Sequence, residues 1–311
     1  MKLGKVSNTV FDRSVFKRLT KRGCLNVNKP LAGQEAHLID DTVVSEATGK
    51  FPVYKVANNI AAQRGKMQAV SCVTILDERS REIRLREIVD ELERQCSKVG
   101  VSILSMNSTV SDSVNKPVTS VTGIGKSGDA VQKAKPDQDI IMVGSIGLSG
   151  IRAIVDAKKD EILKLYSEDV IDKALGEEEN LLIVKAAEYF ADIEKEGVMY
   201  AASEGGIAAA LWNMAELSGV GLDIDFRSIP VKQEIVEICE IFNVNPYILE
   251  SLGCLLMTSF DGCDIINKMS ANGIDATVIG KVTDGSTRVL HNLDEDRFLN
   301  LPEQDEIYKF L

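Results

Sequence analysis

Histidine is nearly absent from this chain: His37 and His291 are the only two. That leaves little room for a histidine-based catalyst or a zinc site, and no Ser/His/Asp or Cys/His arrangement stands out. The six cysteines, Cys24, Cys72, Cys96, Cys239, Cys254 and Cys263, form no C-x-x-C pair. Cys72, Cys239 and Cys254 sit in apolar runs and read as small buried hydrophobes, which predicts a reduced, cytoplasmic setting. No run of 18 apolar residues exists, so no membrane span is expected. Residues Met1 to Lys5 have no apolar stretch behind them, so no signal peptide is expected. Basic residues are in deficit, with 36 Lys and Arg against 47 Asp and Glu and a net charge of -11. Nucleic acid is therefore not expected as a partner, because a phosphate backbone needs a concentrated basic face. Lys17-Arg18 with Lys21-Arg22 comes nearest to one, and reads as a solvated helix end. The sequence also lacks a P-loop and a G-x-G-x-x-G turn after a strand.

What is present suits a two-domain globular protein: 311 residues, 44% apolar and 27% charged. Residues 1–30 are basic and irregular. Ala36 to Val44 reads as strand with a turn at Asp40-Asp41, and Val53 to Gln63 has helical spacing. Met67 to Leu76 is a β-branched apolar run. Arg81 to Val99 is an amphipathic helix striped by Ile83, Leu85, Ile88, Val89, Leu92 and Cys96, with Gly100 as its C-cap. Val101 to Leu104 and Val118 to Ile124 read as strands, with a polar loop through Asn107, Ser108 and Thr109 between them. Lys126 to Gln138 is the best domain boundary. Beyond it, Ile140–Val143 is strand and Ile151–Ala157 helix. Residues 167–195 read as one long helical stretch. Ile207–Leu217 is a small-residue helix, Leu222–Phe226 strand and Gln233–Phe242 helix. Leu252–Ser259, Asp261–Asn272 and Ala276–Val282 follow as strand, helix, strand.

Three groups of residues could carry chemistry. Small hydroxyl and amide side chains at Asn107, Ser108 and Thr109 suit a phosphate or a metal-bound water, and equally suit a plain surface loop. Ser203 and Gly205-Gly206 open an Ala-rich helix, where exposed N–H groups and the helix dipole favour an anion. Close packing of that helix on a sheet is the other reading. Glu35, Asp40, Asp41 and Glu46, with Asn58-Asn59, offer oxygen donors of the kind magnesium takes; singly, each reads as a turn or cap residue.

These motifs resemble the aminoimidazole ribonucleotide (AIR) synthetase-like superfamily of ATP-binding proteins, and most nearly its hydrogenase maturation branch. The resemblance runs from about Gly33 onward. It is strongest at Asn107–Gly125, Gly205–Pro230 and Leu252–Val282. Ser105-Met106-Asn107-Ser108-Thr109-Val110 is similar to the family's G-G-H-T-x-V loop, with Asn107 in the histidine place. Val56 to Ala61 is similar to V-N-D-L-A, which puts Asn59 where an Asp helps hold magnesium. Ala201 to Ile207 is similar to D-P-T-R-G-G-L, with the Asp lost and Glu204 in the Arg place. Gly33-Gln34-Glu35-Ala36 is similar to G-D-D-A, keeping one carboxylate.

The resemblance implies an α+β / α/β chain of two-domain PurM-like fold. Its N-terminal domain, residues 31–135, would form a β-barrel across a homodimer axis. An α/β domain would occupy residues 136–311, with residues 1–30 as a separate segment; by its own residues that segment either forms a lid, with Gly4, Gly23 and several Lys and Arg residues reaching a phosphate, or merely packs. It further implies ATP and magnesium as ligands. Nucleotide would lie near Asn58, Asn107, Ser108, Thr109, Ser203, Gly205 and Gly206, and metal near Glu35, Glu46 and Asn59. The catalytic residues stay unassigned. One implied activity is phosphorylation of a substrate oxygen to activate it. The alternative is a dimeric binding or regulatory protein that has lost catalysis, towards which the neutral Asn59 and the reversed charge at Glu204 point. The hydrogenase maturation protein carries a reactive cysteine on a C-terminal tail; no cysteine follows Cys263 here, which argues against cyanide-ligand synthesis. If the metal reading holds, Asn59→Asp should strengthen magnesium-dependent binding.

Overall fold

The computed structural model describes residues 2–21, 31–127, 132–293 and 295–311. The chain divides into two compact units, Glu35–Ala130 and a second one made from Met1–Gln34 with Val131–Leu311.

The first unit is a five-stranded sheet in the order β1-β2-β5-β3-β4. β1 (Ala36–Ile39) and β2 (Thr42–Thr48) form a hairpin around Asp40-Asp41, with Asp40 at φ 54. β3 (Lys66–Leu76), β4 (Ser102–Val110) and β5 (Val118–Lys126) complete it; only β3 and β4 are parallel, joined over α4 (Glu82–Val99). A parallel pair needs such a crossover. Gly100 ends α4 in the left-handed conformation, φ 79, returning its N–H to Cys96.

α3 (Pro52–Ala62) and α4 cover one face of this sheet, burying Val53, Val56, Val70, Cys72, Leu92, Cys96 and Val121. The Gly123-Ile124-Gly125 sequence is explained here. A Cβ on Gly123 would lie 2.9 Å from Val56, and one on Gly125 2.9 Å from Ile60, so both glycines let α3 lie directly on β5. The start of α3 is pinned from two sides. Phe51, at φ 56, stacks on Tyr54 at 5.7 Å, and the buried Gln95 accepts the Val53 N–H at 3.2 Å while donating to Glu91. The other face of the sheet leaves Val73 and Val118 more than 40% exposed.

The second unit carries a seven-stranded sheet, β12-β11-β8-β10-β6-β9-β7. Its strands are β6 (Asp139–Val143), β7 (Met199–Ala201), β8 (Gly221–Asp225), β9 (Leu255–Ser259), β10 (Ala276–Thr283), β11 (Arg288–Asn292) and β12 (Glu295–Phe298). The β8–β11 pair is parallel and the others antiparallel. Helices α5 (Leu148–Ile162), α6 (Glu168–Leu175), α7 (Val184–Ile193), α8 (Gly206–Ser218), α9 (Gln233–Ile241) and α10 (Gly262–Ala271) flank it. α8 packs Ile207, Leu211 and Met214 onto Met142, Leu222, Leu256 and Ile279 of the sheet. The N-terminal residues belong to this unit: Tyr200 donates its hydroxyl to the Gly33 carbonyl at 2.6 Å.

Five local expectations are corrected. Residues 8–21 are helical, as α1 (Asn8–Phe11), a π-helical stretch and α2 (Lys17–Lys21). The polar loop at Asn107–Thr109 is strand β4. The long helix over 167–195 is broken at Gly176, where Arg152 satisfies the end of α6 by donating to the Leu175 and Gly176 carbonyls. Strand β9 starts at Leu255, because Gly253 turns at φ 100 against the Asn180 carbonyl. Beyond the predicted strand 276–282, the chain adds β11 and β12.

These last two strands carry a pH-dependent clasp. His291 on β11 lies 2.6 Å from Asp223 of β8 through Nε2 and 2.6 Å from Asp296 of β12 through Nδ1. Asp296 and Asp223 raise its pKa, so the charged clasp is complete below the ordinary histidine range and is lost as pH rises through the raised value. Amides of 288–298 should exchange faster at pH 9 than at pH 6, after correction for intrinsic rates. In His291→Gln that difference should vanish.

Candidate functional site

In the first unit, the resemblance-derived residues fall into two places. Asn58 and Asn59 on α3 are 1% and 7% exposed. Asn59 donates Nδ2 to Ser45 Oγ at 3.1 Å, and Ser45 donates its hydroxyl to the Glu35 carbonyl at 2.7 Å. This is a satisfied, uncharged network, as buried polar groups require. It joins β2, α3 and the Glu35 main chain. Ser45 is a residue that the motif reading misses; its signal is the inward phase of β2, with Val43 and Ser45 buried and Glu46 exposed.

Glu46 therefore points to the face of the sheet opposite Asn59. Among the described residues no group of three or more His, Cys, Asp or Glu is spaced to hold a metal. The donor set present does not fit magnesium, which prefers charged oxygen ligands and near-octahedral geometry.

Asn107, Ser108 and Thr109 also separate by strand alternation. They pair with Val73, Thr74 and Ile75 on β3. Ser108 shares the helix-covered face with buried Thr74, whose hydroxyl lies 3.1 Å from Thr119 Oγ1. Asn107 and Thr109 share the uncovered face with Ser71 and Ser105, whose hydroxyls lie 2.7 Å apart. Glu46 lies on that face too, through the register Glu46–Thr122–Ser71. The uncovered face thus holds a row of hydroxyl and amide groups on strands β3 and β4, with Val73 and Val118 among them.

In the second unit, Ser203 to Gly206 open α8 as expected, but the helix end is already filled. Asp305 Oδ2 accepts the Gly205 N–H at 2.6 Å, and Gly206 donates its N–H to the Ser203 carbonyl. Gly206, at φ 64, would place a Cβ 2.5 Å from the Tyr247 carbonyl and 2.7 Å from that of Leu249. Backbone close approach accounts for this glycine. Glu204 accepts from the Lys5 N–H at 2.8 Å and from the Tyr308 hydroxyl at 3.1 Å. In the N-terminal segment, Lys2 pairs with Glu303, and Gly4 is packed on Glu204 and Tyr308. Gly23 and Arg22 lie outside the described residues.

Burial pushes the Cys96 thiol up to about 11 and the Cys239 thiol to about 12, and raises Cys72 and Cys254 too. These four are inert packing residues. Cys24 lies outside the described residues.

A two-domain α/β chain with these glycine-marked elements belongs to a defined class of protein. The model of the AIR synthase related protein N-terminal domain matches residues 24–127, and that of the C-terminal domain residues 135–291. The chain is a member of the AIR synthase related family. A putative hydrogenase expression/formation protein of Methanocaldococcus jannaschii is 26% identical over 268 residues, 83% of this chain and 77% of the relative. Carbamoyl dehydratase HypE of Rhizobium leguminosarum bv. viciae is 28% identical over 244 residues, 75% and 67%. Among solved structures, the HypE–HypF complex superposes with a TM-score of 0.74 at 20% identity, covering 96% of this chain and 100% of that one. HypE in complex with ATP gives 0.72 at 18%, covering 98% and 97%. AaThiL complexed with AMPPCP and TMP gives 0.69 at 15%, covering 94% and 98%. No helix among the described residues is long and apolar enough to cross a membrane.

Proposed function

We propose that this chain is an ATP-binding member of the AIR synthase related family that works as a homodimer. The observation that carries the reading is the in-order match of both family domains, together with a fold shared over 98% of the chain with a HypE solved in complex with ATP. The nucleotide is held on the first unit, at the uncovered edge of the sheet where Asn107 and Thr109 present amide and hydroxyl groups. Magnesium is not part of this reading, because the donors fit it poorly. A second copy lies on the same uncovered face, where Val73 and Val118 are exposed and β4 is an edge strand among the described residues, and closes the two sheets into a barrel with the nucleotide at their seam.

The enzymatic form of the reading is phosphorylation of a substrate oxygen, driven by positioning rather than by covalent catalysis. A second form, binding without turnover, is favoured by the neutral buried Asn59 and by the carboxylate already seated at α8. Phosphate release from ATP separates the two. Sustained release supports turnover, whereas saturable ATP binding without release supports the second form. Replacing Asn107 by Ala should weaken ATP binding roughly three- to tenfold, the effect of one hydrogen bond. An unchanged Kd would place the nucleotide elsewhere.

A further inference from the structure

A cavity of about 620 Å³ lies within the second unit, between residues 7–16, residues 31–32, the C-terminal half of α8 and residues 301–303. Its walls come from stretches remote in sequence, and side-chain hydrogen bonds hold the first two on α8. Asn213 of α8 accepts from Asn8 at 3.5 Å and donates to the Tyr200 hydroxyl at 3.2 Å, and that hydroxyl donates to the Gly33 carbonyl. The composition of the wall is distinctive. Aromatic residues are 5% of the sequence and Trp212 is its one tryptophan, yet Phe11, Phe16 and Trp212 all line the cavity. Its charged groups are three carboxylates, Asp12, Glu216 and Glu303, and among the described residues no Lys, Arg or His lines it.

Each carboxylate has a basic partner that stands outside the lining: Lys17 at 3.1 Å for Asp12, Arg288 at 2.7 Å for Glu216, and Lys2 for Glu303. Lys2 and Lys17 are more than half exposed, and ion pairs of that kind hold their partners weakly. Asp12 and Glu303 can therefore turn to another cation at little cost. Arg288 is different. It is 7% exposed and stands over the Trp212 ring, 4.1 Å from its centroid. It thereby fixes the indole beside the Glu216 carboxylate, through Oε2 alone, and leaves Oε1 outside the pair.

We propose that this cavity binds a small organic ammonium ion that carries an aryl or alkyl group. The volume lies in the range of small-molecule sites, and the combination of an apolar wall with a few charged groups is the usual character of such sites. The apolar group of the ligand is buried against Phe11, Phe16 and Trp212. Its ammonium is drawn both by the faces of aromatic rings and by the carboxylates. An anion of the same shape meets three carboxylates and no basic group in the wall, so the site selects by the sign of charge. It is thus opposite in character to a site for ATP, and it lies in the other unit from Asn107.

Titration of the full-length protein with benzyltrimethylammonium chloride, without nucleotide, tests this. Emission from Trp212, the single tryptophan, reports binding at the wall, and calorimetry reads the same titration in parallel. Saturable binding with a Kd of about 1 mM or tighter is expected. Benzyl alcohol, which keeps the ring and lacks the charge, should bind at least about fivefold more weakly. Benzoate, which reverses the charge, should not bind up to about 10 mM. Glu216→Gln and Asp12→Asn should each weaken the cation roughly two- to fivefold and leave benzyl alcohol unchanged. Glutamine keeps an acceptor for Arg288, and Asp12 stands in an exposed pair, so the two variants are independent readings on a retained fold. Equal affinity for the cation and benzyl alcohol would overturn the proposal. So would binding of benzoate as tight as the cation, absence of cation binding by both readouts, or a cation affinity unchanged in both variants. With no ATP present, either result leaves the nucleotide reading where it stands.

Discussion

Replacing Gly206 by Ala should cost about 3–5 kcal/mol of folding stability, whereas the same change at Gly219, at the other end of α8, should cost only about 1 kcal/mol. Both glycines have positive φ, 64 and 75. Around Gly219 nothing lies within 4 Å of an added Cβ, so only backbone strain is incurred. At Gly206 the Cβ would meet the Tyr247 and Leu249 carbonyls at 2.5 and 2.7 Å, and the Ile248 carbonyl carbon at 3.0 Å. These are backbone atoms that cannot rotate away. Moving them disturbs Leu249 and Glu250, and with them the Glu250 N–H bond to Asp305. Denaturant midpoints at unchanged m-value measure the difference. Equal effects at the two ends would mean that Gly206 serves a ligand rather than packing.

Asn59→Asp should destabilise the chain by about 2 kcal/mol near neutral pH, and magnesium should not restore the loss. Asn59 donates to Ser45, whose own proton is committed to the Glu35 carbonyl. A carboxylate in its place faces a lone pair unless Ser45 abandons Glu35, and either arrangement leaves one buried group unsatisfied. Burial also raises the new carboxyl's pKa above its unfolded value. The variant therefore binds more protons folded than unfolded, and its deficit grows as pH rises from about 4. Thermal unfolding at pH 5 and pH 8, with and without 5–10 mM magnesium (about the concentration at which weak sites fill), checks both statements. Recovery with magnesium would show that Glu46 or Glu35 reaches the same ion. It would also revive the sequence-based expectation that this substitution builds a metal site.

Much of the first unit was readable because its periodicities are strong. The stripe from Ile83 to Cys96 becomes α4, Gly100 caps it as expected, and the Asp40-Asp41 turn joins β1 to β2. The α8 start at Gly205-Gly206 was equally plain. What it does there was not, because that depends on contacts remote in sequence: Asp305 lies 100 residues from Gly205. The same limit separated Asn107 from Ser108. A polar triplet reads as a loop until its pairing with Val73 and Thr74 makes it a strand, and alternation then sends neighbours to opposite faces. Glu46 and Asn59 were grouped by composition, and the phase of β2 parts them. The break at Gly176 was hidden by the helix-forming residues on either side, while Arg152, which satisfies that helix end, sits far upstream.

The central claim is that this chain holds a nucleotide on its Glu35–Ala130 unit. Calorimetric titration of the full-length protein with ATP, with and without magnesium, alongside Asn107→Ala, tests it most directly. Saturable ATP binding that changes less than about tenfold on adding magnesium, and that weakens in the variant, is the predicted result. Absence of binding up to millimolar ATP would contradict it and turn the search to partner proteins. A strict requirement for magnesium would contradict the reading that leaves the ion out of this site.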